Sequence, residues 1–459
     1  MHTLNFISRK ARTVGVAALL LSTSACSFNN IDAVPNPNAA GLDLSGVITN
    51  PTAAQISLLA TGTEAALRLG HGGRGQYNAI TGTFGREIYI LALNDSRYYT
   101  ELLGTNGQLD AAGPYNDLYT SFSQARHAAI VFRGSAETAV ALTDAQKQGI
   151  RGYTHTVEAL TMLHLANLQF DNGIRLDVSN IYKPSKFTES YQGVLDAINV
   201  LLNSAVTELA AGGSTFAFPL PSGYAGFDTP GTYVKFNRAL AARVNIYRKD
   251  YVAAQAALTA SFYDPSAALT IGPKIVFNAG AANDVGNPYA QNLNSNVSTL
   301  VTAQKDFVAQ AETGDARLAK VSLRTNPRTL GGLTGSYDPN LFTQSSPLDI
   351  IRNEELILIA AEINIEKASP DLNAATTSLN LIRSTAGKLP NYSGASTKAA
   401  LEDELLNQRR YSLFYEGHRW IDMRRFGRLN QLPLDLPTHK IFDRMRRPVA
   451  EVQWDQANP

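Results

Sequence analysis

A single cysteine, Cys26, stands among the 459 residues. No disulfide can close within one chain, and paired-cysteine metal sites are excluded with it. Tryptophan is also scarce, with only Trp420 and Trp454. Formal net charge is +1, so no global field draws the chain to nucleic acid. His-Glu-x-x-His, Gly-x-Ser-x-Gly and a Walker loop are all missing. The acidic runs Glu354-Glu355 and Glu402-Asp403-Glu404 are contiguous, so on helices their side chains point apart and do not flank a glycosidic bond. His71, His127, His155, His164, His418 and His439 are scattered and read as packed or solvated. No catalytic residue, metal ligand or cofactor site is expected, and the chain reads as non-enzymatic. Gly70-His71-Gly72-Gly73-Arg74-Gly75 has the letters of a dinucleotide fingerprint, but it follows a helix instead of a strand. Gly70 therefore reads as a helix C-cap.

What is present describes an ordered globular protein: 44% of residues are hydrophobic and 17% charged. The first residues are a targeting segment. Arg9, Lys10 and Arg12 precede an apolar run, Val14 to Leu21, that is too short to span a bilayer. The run ends Ser22-Thr23-Ser24-Ala25-Cys26, which resembles a bacterial lipobox, so Cys26 is expected to carry lipid. Acyl chains anchor through roughly 0.8 kcal/mol per buried CH₂. Residues 1–25 thus read as a lipoprotein signal peptide, and 26–50, with Pro35-Asn36-Pro37-Asn38, as a flexible tether. No later run reads as a transmembrane helix.

Residues 51–260 are expected to be helical. Thr52 to Leu69, Tyr115 to Phe132, Thr143 to Phe170 and Phe187 to Leu209 carry apolar residues every three or four positions. Thr143-x-x-Gln146 is close to a capping box. Lys235 to Leu258 predicts a helical hairpin, and Asp250-Tyr251-x-x-Ala254-x-x-x-Leu258 resembles half a tetratricopeptide repeat, as does Ala361 to Ile382. Residues 261–346 change to Gly, Asn, Pro and Ser and read as a loop-rich insertion.

Residues 347–459 hold the densest pattern. A helix from Arg352, with Leu356, Ile359, Ala360 and Ile363 on one stripe, is followed by one lined by Leu379 and Ile382. A third opens at Leu401, Leu405 and Leu406. Charges are interleaved with these apolar residues and cannot all be solvated, so Arg352, Glu355, Arg409, Glu416, Arg419 and Asp422 are expected to form a buried ion-pair network. Arg409 and Glu416, seven apart, are expected on one side of the third helix. Arg409 to Arg447 holds ten Lys or Arg against four Asp or Glu, a local excess that reads as structural or solvated.

Arg352-x-x-Glu355-Leu356, Ala361-Glu362, Asn380-x-x-Arg383, Arg409, Glu416-Gly417-x-Arg419-Trp420-x-Asp422 and Pro448-x-x-Glu451 together resemble the C-terminal signature of the SusD/RagB family of outer-membrane nutrient-binding lipoproteins. Gln408 and Ser412 depart from it, standing where the family usually has Glu. The resemblance implies a mainly α fold, a tetratricopeptide-like helical-hairpin superhelix with long loop-rich insertions. It implies an outer-membrane lipoprotein that binds an oligosaccharide or peptide and delivers it to a SusC-like TonB-dependent transporter. It also implies that the ligand surface is built from the insertions. Sugar rings stack on aromatic faces, which makes Tyr98, Tyr99, Phe216, Phe218, Tyr224, Phe227, Tyr289, Tyr337 and Phe342 the candidate platforms. A scaffold lipoprotein that binds other envelope proteins is the alternative.

Overall fold

Apolar residues recurring every three or four positions make helices follow one another through most of the chain. In the computed structural model, residues 46–72, 76–180, 183–188, 190–281 and 284–459 are described. The expected signal peptide, Cys26 and residues 26–45 of the tether lie outside them, as do Gly73 to Gly75. The first set of helices is α1 (Ala53–Gly72), α2 (Tyr77–Phe84), α3 (Asp117–Thr138), α4 (Asp144–Gln169), α5 (Tyr191–Ala210), α6 (Pro230–Arg248) and α7 (Tyr251–Thr259). The second is α8 (Asn353–Glu366), α9 (Leu372–Ile382), α10 (Lys398–Ser412), α11 (Arg419–Arg425) and α12 (Val449–Ala457). Successive helices pack on one another, α3 on α4, α4 on α5, α5 on α6 and α8 on both α9 and α10. This is the stacking of helical hairpins around a shared core. The fold is mainly α, and Ile48–Pro459 form one compact unit.

Local signals explain the boundaries. The Thr143 and Gln146 side chains each bond the other's backbone N–H, a complete capping box at the start of α4. The Lys235–Leu258 hairpin turns at Lys249, whose φ of 59° closes α6. Gly70 is not a cap. It lies inside α1, where a Cβ would come within 2.5 Å of the Phe122 ring, so the glycine serves helix packing. α5 is long and apolar enough to cross a membrane by length and composition, contrary to the sequence reading. Its stripe of Val194, Leu195, Ile198, Leu202 and Leu209 is buried in the helical core.

The stretch 261–346 is more ordered than a loop-rich insertion. It supplies β2 (Thr299–Ala303), β3 (Val321–Leu330) and β4 (Leu333–Pro339), which join β1 (Ile88–Ala92) in a sheet of order β1-β2-β4-β3. β1 pairs antiparallel with β2 from Ile88↔Ala303 to Ala92↔Thr299, so the insertion is tied to the N-terminal helical part. Side chains alternate across the sheet. Ile88, Ile90 and Ala303 face the helical core, while Tyr89, Leu91 and Leu300 form a separate cluster with Leu103 and Leu333. Both faces are apolar, which accounts for the unbroken burial of β1.

Candidate functional site

The charged residues of 352–425 are buried and meet in a clasp. Arg352 donates to both oxygens of Glu416, at 3.1 and 2.8 Å, and to the Ser412 carbonyl at 2.7 Å, with Glu354 as a further partner. Glu355 is met by Arg243 of α6, at 2.7 and 2.5 Å. Arg409 donates to Asp422 at 2.7 Å, and Arg425 bridges Asp422, at 2.9 Å, to Glu362. Burial raises the carboxyl pKa of Glu355, but Arg243 and His418 overcome it and hold Glu355 at about 2. Asp422 is likewise held at about 2 by Arg409 and Arg425 against burial. The clasp ties α6, α8, α10 and α11 together through charges that pair with one another.

Two expected pairings are different. Arg409 and Glu416 do not share a helix face, because α10 ends at Ser412 and Tyr415 turns left-handed at φ 65°. Arg419 makes no ion pair among the described residues. Burial lowers its pKa to about 10 while Glu87 pulls the other way. Glu87 itself is buried without a hydrogen-bond partner for either oxygen, and burial raises it to about 8 against the field of Arg419. Gly417 has φ 84°, and a Cβ there would fall 2.9 Å from the Tyr77 ring, so Glu416-Gly417 needs its glycine twice over. Gln408 and Ser412 accept from Arg317 at 2.7 and 3.0 Å, while Asp315 neutralises that guanidinium at 2.7 and 2.9 Å. Neutral acceptors suffice there because the negative charge comes from another part of the chain.

The basic excess near the C-terminus is structural. Arg424 donates to the carbonyls of Asn167 and Asp443 at 3.0 and 2.7 Å, and its guanidinium lies 4.2 Å from the Phe170 ring centre. Arg175 grips α12 through Glu451 and Asp455, at 2.7 and 2.8 Å, which gives the closing Pro-x-x-Glu motif its partner. Arg243, Arg317, Glu362 and Arg175 were absent from the expected network. Arg243 and Glu362 are buried charges at otherwise apolar helical positions, whereas Arg175 lies in a short strand and Arg317 in a 3-10 turn, where no helical period singles them out.

The nine candidate aromatics do not form one platform. Phe218, Tyr224, Phe227 and Tyr289 are buried, which corrects their reading as exposed loop platforms. Phe218 packs edge-on against Phe132 and Tyr153, Tyr224 tilts on Tyr233, Phe227 meets Phe262, and Tyr289 meets Tyr415. Their segments fold back on the helices, and the rings fill the core. Phe216, Tyr337 and Phe342 are half-buried against the same core.

Tyr98 and Tyr99 remain. They share the short helix Arg97–Thr100 beside the sheet, both half-exposed. Tyr99 covers the Tyr89, Leu91 and Leu333 cluster and lies against Gly331 at the β3–β4 turn, where a Cβ would come within 2.6 Å of its ring. Polar groups stand beside the rings in solvent. Arg97 donates to Asp95 at 3.0 and 2.9 Å, with Asp110 at 3.7 Å, and Leu93 is 61% exposed. Aromatic faces rimmed by exposed donors and acceptors suit a neutral polyhydroxylated ligand. No set of three or more ligating side chains placed to hold a metal occurs among the described residues.

The helical-hairpin body with its small antiparallel sheet has the fold of SusD-like helical proteins. The structure superposes on a SusD superfamily protein from Bacteroides vulgatus with a TM-score of 0.64 and 16% identity, covering 89% of this chain and 98% of that one. It is also similar to the surface glycan-binding protein A of Bacteroides thetaiotaomicron, in complex with laminarihexaose (TM-score 0.67, 13% identity, 88% and 98% covered). A laminarin binding SusD-like protein gives 0.62 at 15% identity, with 89% and 98% covered. No curated protein sequence matches the chain. Residues 285–458 match the SusD family model.

Proposed function

We propose that the protein is a lipid-anchored, non-enzymatic, nutrient-binding protein of the outer membrane. Its ligand is an oligosaccharide, which it passes to a SusC-like TonB-dependent transporter. The observation that carries the reading is the fold shared along almost the whole chain with proteins described as glycan-binding. Anchorage rests on the lipobox-like sequence ending at Cys26. Tyr98 and Tyr99, with Arg97, Asp95 and Asp110 around them, are the surface assigned to the ligand. Delivery then needs only a difference in affinity between the free and transporter-bound states.

Retardation of the protein in native gels containing laminarin, starch or other soluble polysaccharides tests this reading. Retardation by at least one glycan, lost in the double variant Tyr98→Ala/Tyr99→Ala with the fold intact, is expected. Migration unaffected by every glycan, or retardation indifferent to the double variant, contradicts the glycan reading or its placement respectively.

A further inference from the structure

Helix α3 turns a row of polar side chains into a cavity that is lined by neither Tyr98 nor Tyr99. Tyr119, Ser123 and His127 recur every fourth residue, so they lie one above another on one side of the helix. They line a cavity of about 330 Å³ together with Leu165, Ile174 and Trp454. That volume lies at the small end of ligand clefts. The Tyr119 and Ser123 hydroxyls make no hydrogen bond among the described residues, and His127 Nδ1 is buried with no partner. Buried polar atoms in folded proteins are almost always paired, so the unmatched His127 Nδ1, beside two hydroxyls with no bond among the described residues, points to a further partner.

The charges around the cavity are already met. Arg126 donates to Glu158 at 3.1 Å and to the Arg175 carbonyl at 2.6 Å. Arg175 is held by Glu451 and Asp455. An ionic ligand therefore finds no unmatched charge, and burial lowers the His127 pKa, which keeps the imidazole neutral. The same Arg175 contacts fix α12 from two positions one turn apart, and Trp454 sits between them. The indole of Trp454 lines the cavity together with the polar row.

We propose that this cavity is a binding site for one uncharged polyhydroxylated ring, a single sugar residue whose CH face lies on Trp454 and whose hydroxyls meet Tyr119, Ser123 and His127. A site of this size takes one ring and not a chain, so its ligand is a free monosaccharide or the end of an oligosaccharide. It differs in residues from the tyrosine surface, and either assignment can fail alone.

The chain carries its own probe. Only two tryptophans occur, and Trp420 is fully buried under Phe84, so ligand-induced fluorescence changes report on Trp454. The intact protein is titrated with glucose, galactose, mannose, xylose and a linear glucose hexasaccharide. A saturable change in emission is expected with at least one, and the hexasaccharide arm separates chain-end capture from monosaccharide binding. The change should vanish in Ser123→Phe, which fills the cavity, with circular dichroism reporting the fold. Ser123→Ala, which removes only the hydroxyl, is expected to weaken binding at least three-fold by calorimetry. No emission change with any sugar, a change that survives in folded Ser123→Phe, or unaltered affinity in Ser123→Ala would overturn the assignment.

Discussion

The clasp and the tyrosine surface use similar side chains to opposite ends. In the clasp, guanidinium and carboxylate groups are buried and face one another, so they fix how four helices meet. Beside Tyr98 and Tyr99, Arg97 and Asp110 are about two-fifths exposed, at 40% and 43% of their side chains. Pairing there is screened by water and adds little to stability, but it leaves donors and acceptors within reach of a ligand. Burial decides which role a charge plays. One region holds the scaffold and the other is available for recognition.

The comparison is broken most severely by removing one half of a buried pair. Glu355→Ala leaves Arg243 uncompensated in the core and should cost about 3–5 kcal/mol in denaturant unfolding. The double variant Arg243→Met/Glu355→Leu should regain most of that loss. A single variant that costs under about 1 kcal/mol would put the pair in the same class as a surface pair.

A smaller effect concerns pH. Glu355 and Asp422, held at about 2, contribute stability that is present above their ordinary values and lost as pH falls toward 2. His71 and His418 are lowered by burial to about 3 and 4, so their contribution is complete above the ordinary histidine value and is also lost in acid. Glu87 has the reverse sign. Raised by burial to about 8, its contribution is complete below the ordinary Glu value and is lost as pH rises through 8. Glu64 behaves likewise, raised by burial to about 7 against the hydrogen bond from Tyr153. The melting temperature should climb from pH 2 to a maximum near about pH 6.5 and decline toward pH 8. A profile flat from pH 3 to 8 would contradict the buried network. The smallest stability effect is expected for Tyr98→Ala, within about 1 kcal/mol, although the proposed glycan retardation should be reduced by it.

Helices were legible because a 3.6-residue period leaves its mark within a few turns, as in α4 with its capping box. The membership of the clasp was partly legible, since a charge at an apolar helical position must find a partner. Its pairings were not. Arg352 finds Glu416 64 positions away and Arg243 finds Glu355 112 positions away, and only the three-dimensional packing sets such matches. The left-handed turn at Tyr415 separates Arg409 from Glu416, and no helical count anticipates it. Loop aromatics were misread for a related reason. Phe218, Tyr224, Phe227 and Tyr289 lie in Gly- and Pro-rich stretches, yet burial of a large ring contributes roughly 1.5–3 kcal/mol, enough to draw such loops onto the helices. Trp454 stood out in the sequence only as one of two tryptophans, because the α3 residues that line a cavity with it lie more than three hundred positions earlier.

Detergent extraction of outer membranes from the native host, followed by affinity purification of the tagged full chain, tests the central claim most directly. The account predicts membrane retention that is abolished by Cys26→Ala, and recovery with a large TonB-dependent barrel. Recovery of the wild-type protein from the soluble fraction, or from the membrane repeatedly without any barrel partner, would contradict it.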